Sequence, residues 1–225
     1  MKETYETEKY VIEYSEKDKE YIEEILVTLD NKSKEIMNFF KLEKLSSKVK
    51  IVIWDSIEGY KNNILPYLEE IDSEYKEWMI ADTMDGNINM LPIRLVNNTD
   101  YNITGFSDTI RHEFVHICHR QARKERNVKF CHSDTWFWEV LATNLGNIYP
   151  EEIMPIETTI DKLEKDFDNV DGNYDIAYTI GQYLFENYEK DYIYELAIDN
   201  DKLEKKGSIL FDNAKEWSRN KTRSK

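Results

Sequence analysis

His112-Glu113-Phe114-Val115-His116 sets two histidines four residues apart, with a glutamate directly after the first. At about 100° per residue a helix would hold the two imidazoles roughly 40° apart and one turn along, with Glu113 about 60° from His116 on the same side. Two imidazoles so placed can grip one zinc ion, and a carboxylate beside them can take a proton from the water that ion activates. Ile110, Phe114, Ile117 and Cys118 fall on other sides of this helix, so a core would want it as much as a metal.

A catalytic zinc takes three protein ligands and keeps a fourth position for water. The downstream candidates for the third ligand are His119, His132, Asp134 and Glu139. A third histidine ten positions after His112 would mark the metzincin pattern, but Ala122 stands there. Glu139 falls on a predicted helix among apolar Trp136, Phe137, Val140 and Leu141, and an inward-facing carboxylate there needs a partner that zinc would supply. The alternative site is His112, His116 and His132, the last beside Cys131. His119 lies about 20° from His112 on the metal-facing side and reads as a hydrogen-bonded structural histidine. One such site implies one zinc per chain.

Trp136-Phe137-Trp138-Glu139-Val140-Leu141-Ala142 resembles the tryptophan-x-x-Glu-x-x-Ala segment that supplies the third zinc ligand in gluzincin metallopeptidases, the thermolysin-like and aminopeptidase-like enzymes. Ala177-Tyr178-Thr179-Ile180-Gly181 resembles the tyrosine-x-x-glycine segment in which M1-type members keep a transition-state-stabilising tyrosine. The order of elements resembles that of small bacterial proteins grouped as a peptidase MA-like domain, over nearly the whole chain. The resemblance implies a thermolysin-like catalytic domain that hydrolyses peptide bonds. His112, His116 and Glu139 would be the zinc ligands, Glu113 the general base and Tyr178 the oxyanion donor. It also implies that an edge strand, here Asn87 to Met90, receives an extended peptide or protein substrate by strand addition. Two departures stand out. Val140 replaces the glycine usual after the ligand glutamate, and no glycine-alanine-methionine-glutamate-asparagine segment precedes the helix, so aminopeptidase specificity is not implied.

The elements that must position these residues follow from periodicity. Lys9 to Tyr14 and Lys48 to Trp54 alternate as strands, and Tyr21, Ile22, Ile25, Leu26 and Leu29 recur at helical spacing in a helix running to about Phe40. Ile57 to Ile71 is a weaker helix interrupted by Pro66. Asp85-Gly86 between two apolar runs predicts a hairpin or edge pair, with Pro92 marking an edge strand or its end. After a loop over Asn97 to Thr104 the pattern is helical: about 106 to 123, capped by Ser107 or Thr104, then 134 to 146, 157 to 167, 173 to 189 and on to 198, and 207 to 219, with a frayed basic tail. Strands followed by helices predict an α+β class: a small N-terminal mixed sheet with helices, then a helical lobe. The chain reads as a single metallopeptidase-like domain, 1–104 forming the strand-containing lobe and 105–225 the helical lobe with the zinc site.

The 225 residues suffice for one core. A net charge of -15 repels a phosphate backbone and argues against nucleic acid as a partner. The start MKETYETEKY lacks a secretory apolar run, and no stretch reaches the roughly 18 apolar residues of a membrane span, so a soluble, cytoplasmic protein with no membrane partner is expected. The two cysteines, Cys118 and Cys131, are expected to be reduced. A second hypothesis of a different class is a catalytically silent zinc-binding protein of the same fold that acts as a peptide- or partner-binding module. Glu113 argues for the enzyme, because a merely structural site does not need a carboxylate there.

Overall fold

The computed structural model describes residues 2–70, 74–77, 79–83, 86–96, 106–146 and 152–223. The loop expected over Asn97 to Thr104, Thr104 as a cap, Asp85 of the hairpin turn, Ile71 at the end of the second helix and the last two residues of the tail lie outside these. The molecule is α+β, and its contacts divide it into two compact units, Met1–Lys34 with Lys44–Ile117, and Glu35–Glu43 with Cys118–Lys225.

In the first unit, β1 (Lys2–Glu6), β2 (Tyr10–Ser15), β3 (Val49–Ile53), β4 (Ala81–Asp82) and β5 (Ile88–Met90) form a mixed sheet in the order β1-β2-β3-β5-β4. The central pairs are parallel, with Ile12 opposite Ile51 and Ile51 opposite Ile88, whereas β1 and β4 close the two edges antiparallel. Alternation in β2 buries Tyr10, Ile12 and Tyr14, while in β3, paired on both sides, Val49, Ile51, Val52 and Ile53 are all buried. β1 was not foreseen, because KETYE is exposed along its whole length and carries no apolar period. Its charged side chains suit an edge that must not recruit another strand.

The expectation that Asn87 to Met90 forms an edge is overturned. β5 is hydrogen-bonded to β3 on one side and β4 on the other and is buried throughout, so the edge on this side is Ala81–Asp82. The apolar run after it is also not strand. Pro92 cannot continue a ladder, and its carbonyl instead accepts from the amides of Leu95 (2.8 Å) and Val96 (3.2 Å), starting the short helix α3 (Ile93–Val96).

A 3₁₀ turn, Glu16–Tyr21, leads into α1 (Ile22–Phe39), which buries Ile22, Ile25, Leu29 and Ile36 along one stripe. The fully buried Asp18 in that turn accepts from the backbone N–H of Arg94 (3.3 Å) and pairs with its guanidinium, pinning the turn to α3. α2 (Ile57–Glu70) runs through Pro66 rather than being interrupted there. Proline removes one hydrogen bond, but Tyr60, Ile64 and Leu68, four residues apart, are held in a common apolar cluster with Met79, Leu91 and Val96.

The second unit is helical. α5 (Thr135–Leu145) is buried on nearly every side, at Trp136, Phe137, Trp138, Val140, Leu141, Ala142 and Thr143, which makes it the unit's central helix. α6 (Ile160–Asp166) and α7 (Asn173–Asn187) pack against it, and α8 (Lys190–Ala197) and α9 (Asn200–Arg223) pack against each other and against α7. α7 does not continue to 198: Tyr188 is extended (φ -132°) and α8 begins afresh. α9 is longer than expected, and the tail foreseen as frayed is helical to Arg223. Among the described residues no helix is long and apolar enough to cross a membrane, and both cysteines are free thiols, Cys118 buried and Cys131 exposed.

Candidate metal centre

α4 (Phe106–Glu125) carries the two histidines. Ser107 does not cap it: the helix begins one residue earlier, and the Ser107 hydroxyl donates to Glu24 (2.8 Å) and accepts from Thr28 (3.2 Å), both on α1. Ile110, Phe114, Val115, Cys118 and Ala122 are fully buried, and with them the helix also buries His112, Glu113 and His116. Burial pushes the Cys118 thiol up, which leaves it inert.

The Nε2 atoms of His112 and His116 stand 3.1 Å apart, their ring planes at 82°. Two bare lone pairs at that distance repel; a proton on one ring or a cation between them removes the conflict. In a tetrahedral site with zinc–nitrogen bonds of ~2.0 Å, two ligand atoms stand ~3.3 Å apart, close to the spacing these rings already have. Glu139, half-buried on α5, completes the group: one ligand atom from each of His112, His116 and Glu139 lies within 4.8 Å of the others. Two imidazoles and one carboxylate fit a zinc ion with a position left for water.

The other ligand candidates are engaged or stand elsewhere. Among the described residues no other group of three such side chains converges on a shared point. His132 is exposed in the 3₁₀ turn before α5 and does not join the group, so the alternative site with His132 is not formed. Asp134 is buried and faces the Arg123 guanidinium at 3.4 Å. His119 is fully buried, and its Nε2 donates to the carbonyl of Ala197 (2.8 Å).

Glu113 has a polar neighbourhood that periodicity did not reveal. Tyr60 of α2 is fully buried, and its hydroxyl is held far above the ordinary phenol range by desolvation, reinforced by the carboxylates of Asp82 and Glu113. It therefore stays protonated as a donor. Asp82 in turn accepts from the Asn89 side-chain amide across the β4–β5 pair (3.0 Å). Tyr60 reads from sequence as a core residue at helical spacing, and its polar role depends on contacts more than twenty residues away.

Tyr178 is half-buried on α7, and its backbone carbonyl accepts from Asn144 of α5 (3.3 Å). Tyr174, one turn earlier, sits edge-on to Phe167 at 5.5 Å. The glycine of the same segment, Gly181, lies directly against the Asn144 side chain, so a close helix contact accounts for its being glycine.

No family model, curated protein or solved structure matches the chain.

Proposed function

We propose that the chain is a zinc-dependent peptide-bond hydrolase of the gluzincin kind, with a thermolysin-like arrangement of sheet, metal-binding helix and following helices. The observation that carries this reading is the convergence of His112, His116 and Glu139 within 4.8 Å, with Glu113 buried one residue after the first ligand. A zinc ion held there would supply a water of lowered pKa and a positive charge for the scissile carbonyl oxygen. Glu113 takes the proton of the attacking water and passes it to the leaving amine. Tyr178 donates a hydrogen bond to the carbonyl oxygen as negative charge develops on it. Substrates are peptides or proteins, and two free thiols suit a reducing, cytoplasmic setting.

The test is digestion of a peptide library by the zinc-loaded protein, the chelated protein and Glu113→Gln, read by mass spectrometry. Cleavage by the first alone is expected. One bound zinc per chain without cleavage would favour the silent binding module, and absence of zinc binding after loading would overturn both readings.

A further inference from the structure

His119 follows His116 by one turn of α4, yet it does not join the group formed by His112, His116 and Glu139, and its Nε2 donates to the Ala197 carbonyl. That same carbonyl accepts from Arg123 Nη1 (3.2 Å). The His119 ring is sandwiched. On one side Phe40 stacks at 5.3 Å with planes 21° apart, and on the other Trp138 stacks at 3.9 Å and 27°. Trp138 is the residue immediately before Glu139, and the Arg123 guanidinium lies over its ring at 5.4 Å. Arg123 is itself nearly inaccessible and also donates to Asn200 and to the Lys129 carbonyl, so this side of the stack is held by the backbone between α4 and α5 and by the start of α9.

We infer that His119 is a positioning residue for the metal centre: its stack on Trp138 fixes the turn of α5 that carries Glu139 against the helix that carries His112 and His116. The inference rests on the proposed zinc site. Its physical basis is stiffness. His116 and His119 are joined by a single helical turn, and Trp138 and Glu139 by one peptide bond, so the stacked pair ties the two ligand-bearing segments within one turn of the ligands themselves. Face-to-face contact between flat rings resists rotation of α5 about its axis, which is the motion that would swing Glu139 out of reach. Metal sites whose supporting groups are removed lose on the order of 10- to 100-fold in affinity without losing a ligand.

The experiment compares Zn²⁺ affinity, by competition with a chromophoric chelator, and the visible spectrum of the Co²⁺-loaded protein. It uses wild type, His119→Ala, His119→Gln, His119→Phe and, as a control for loss of core packing, Leu210→Ala on α9. All are measured where far-ultraviolet circular dichroism shows the protein folded. His119→Ala and His119→Gln should bind Zn²⁺ about 10-fold or more weakly and shift the Co²⁺ bands. His119→Phe, which keeps a ring in the stack, should stay within about 3-fold of wild type. Leu210→Ala should lower the melting temperature and leave both metal readouts alone. Should His119→Ala fail to fold, His119→Gln carries the test, since it keeps a donor for Ala197 and loses only the ring. Unchanged Zn²⁺ affinity in the folded His119 variants, or a loss in His119→Phe equal to that in His119→Ala, would overturn the inference while leaving the zinc site intact. A wild-type protein that takes up no zinc would overturn the proposed function instead.

Discussion

Gly181 of α7 lies so close to Asn144 of α5 that a β-carbon on it would overlap Nδ2 and Cγ of the asparagine and stand 2.7 Å from its Oδ1. Asn144 is not free to turn aside, because its amide donates to Val140 (2.8 Å) and Tyr178 (3.3 Å) and its oxygen accepts from Gln182 (2.9 Å). Gly181→Ala would ordinarily stabilise a helix by up to ~1 kcal/mol. Here overpacking at ~1–3 kcal/mol should win and the protein should lose stability in urea unfolding. In an Asn144→Ala background the sign should reverse; a stabilised single mutant would mean that the contact yields.

The Asp18–Arg94 pair should behave as a buried ion pair. Asp18→Ala removes the fully buried partner, leaves the guanidinium with Asp55 as its other acceptor, and should cost about 1–3 kcal/mol, measured by urea denaturation. Replacing both partners with apolar residues of similar volume should recover most of that loss. A single mutant within about 0.5 kcal/mol of wild type would show the pair to be screened by water.

Ligand assignment is tested by zinc stoichiometry. Glu139→Ala should weaken zinc binding strongly, His132→Ala should leave it unchanged, and Glu113→Gln should keep the metal while losing most turnover, because the amide preserves shape and removes the base. Metal analysis after loading, beside peptide hydrolysis, separates these outcomes; affinity that survives loss of Glu139 and collapses on loss of His132 would reverse the assignment.

Tyr178→Phe should lower kcat on the order of 10²-fold and leave zinc binding untouched if its hydroxyl steadies the oxyanion. Tyr174→Phe is the control one turn earlier. Full rate in the first and a crippled second would transfer the role to Tyr174, and full rates in both would remove tyrosine from the mechanism.

Stability should depend on pH through the acidic groups of the second unit. Burial raises the carboxyl pKa values of Asp134, against the pull of Arg123, and of Glu164, where Asp161, Asp134 and Glu204 add to the effect; Asp175 is raised by burial alone. A folded-state carboxyl above its unfolded value gives stability that is full below the unfolded pKa, about 4, and is lost as pH rises through the folded value. Glu164→Gln, which cannot ionise, should therefore melt higher than wild type at pH 8, with the gap closing as the pH falls toward the unfolded value of about 4. Thermal melts of the metal-free proteins read this directly, and a gap independent of pH would refute it.

What the sequence determined by itself is what one helix can decide. His112, Glu113 and His116 share a side of α4 because positions three and four apart are neighbours in any helix, and the apolar positions around them guarantee that this segment is one. The same local logic found β2, β3 and α1. Tertiary structure decided the rest. Glu139 falls within 4.8 Å of the two histidines although twenty-two residues separate it from His116, whereas the exposed His132 stays outside the group. β5 became an interior strand because β4 pairs outside it, and α2 passed through Pro66 because a buried cluster outweighs one lost hydrogen bond. His119 looked like a neighbour of the site, and only its partners, Phe40 79 residues before it and Ala197 78 residues after it, define what it does. Spacing along the chain sets contacts within a turn or two; contacts between segments depend on which faces are buried together, and no local period records that.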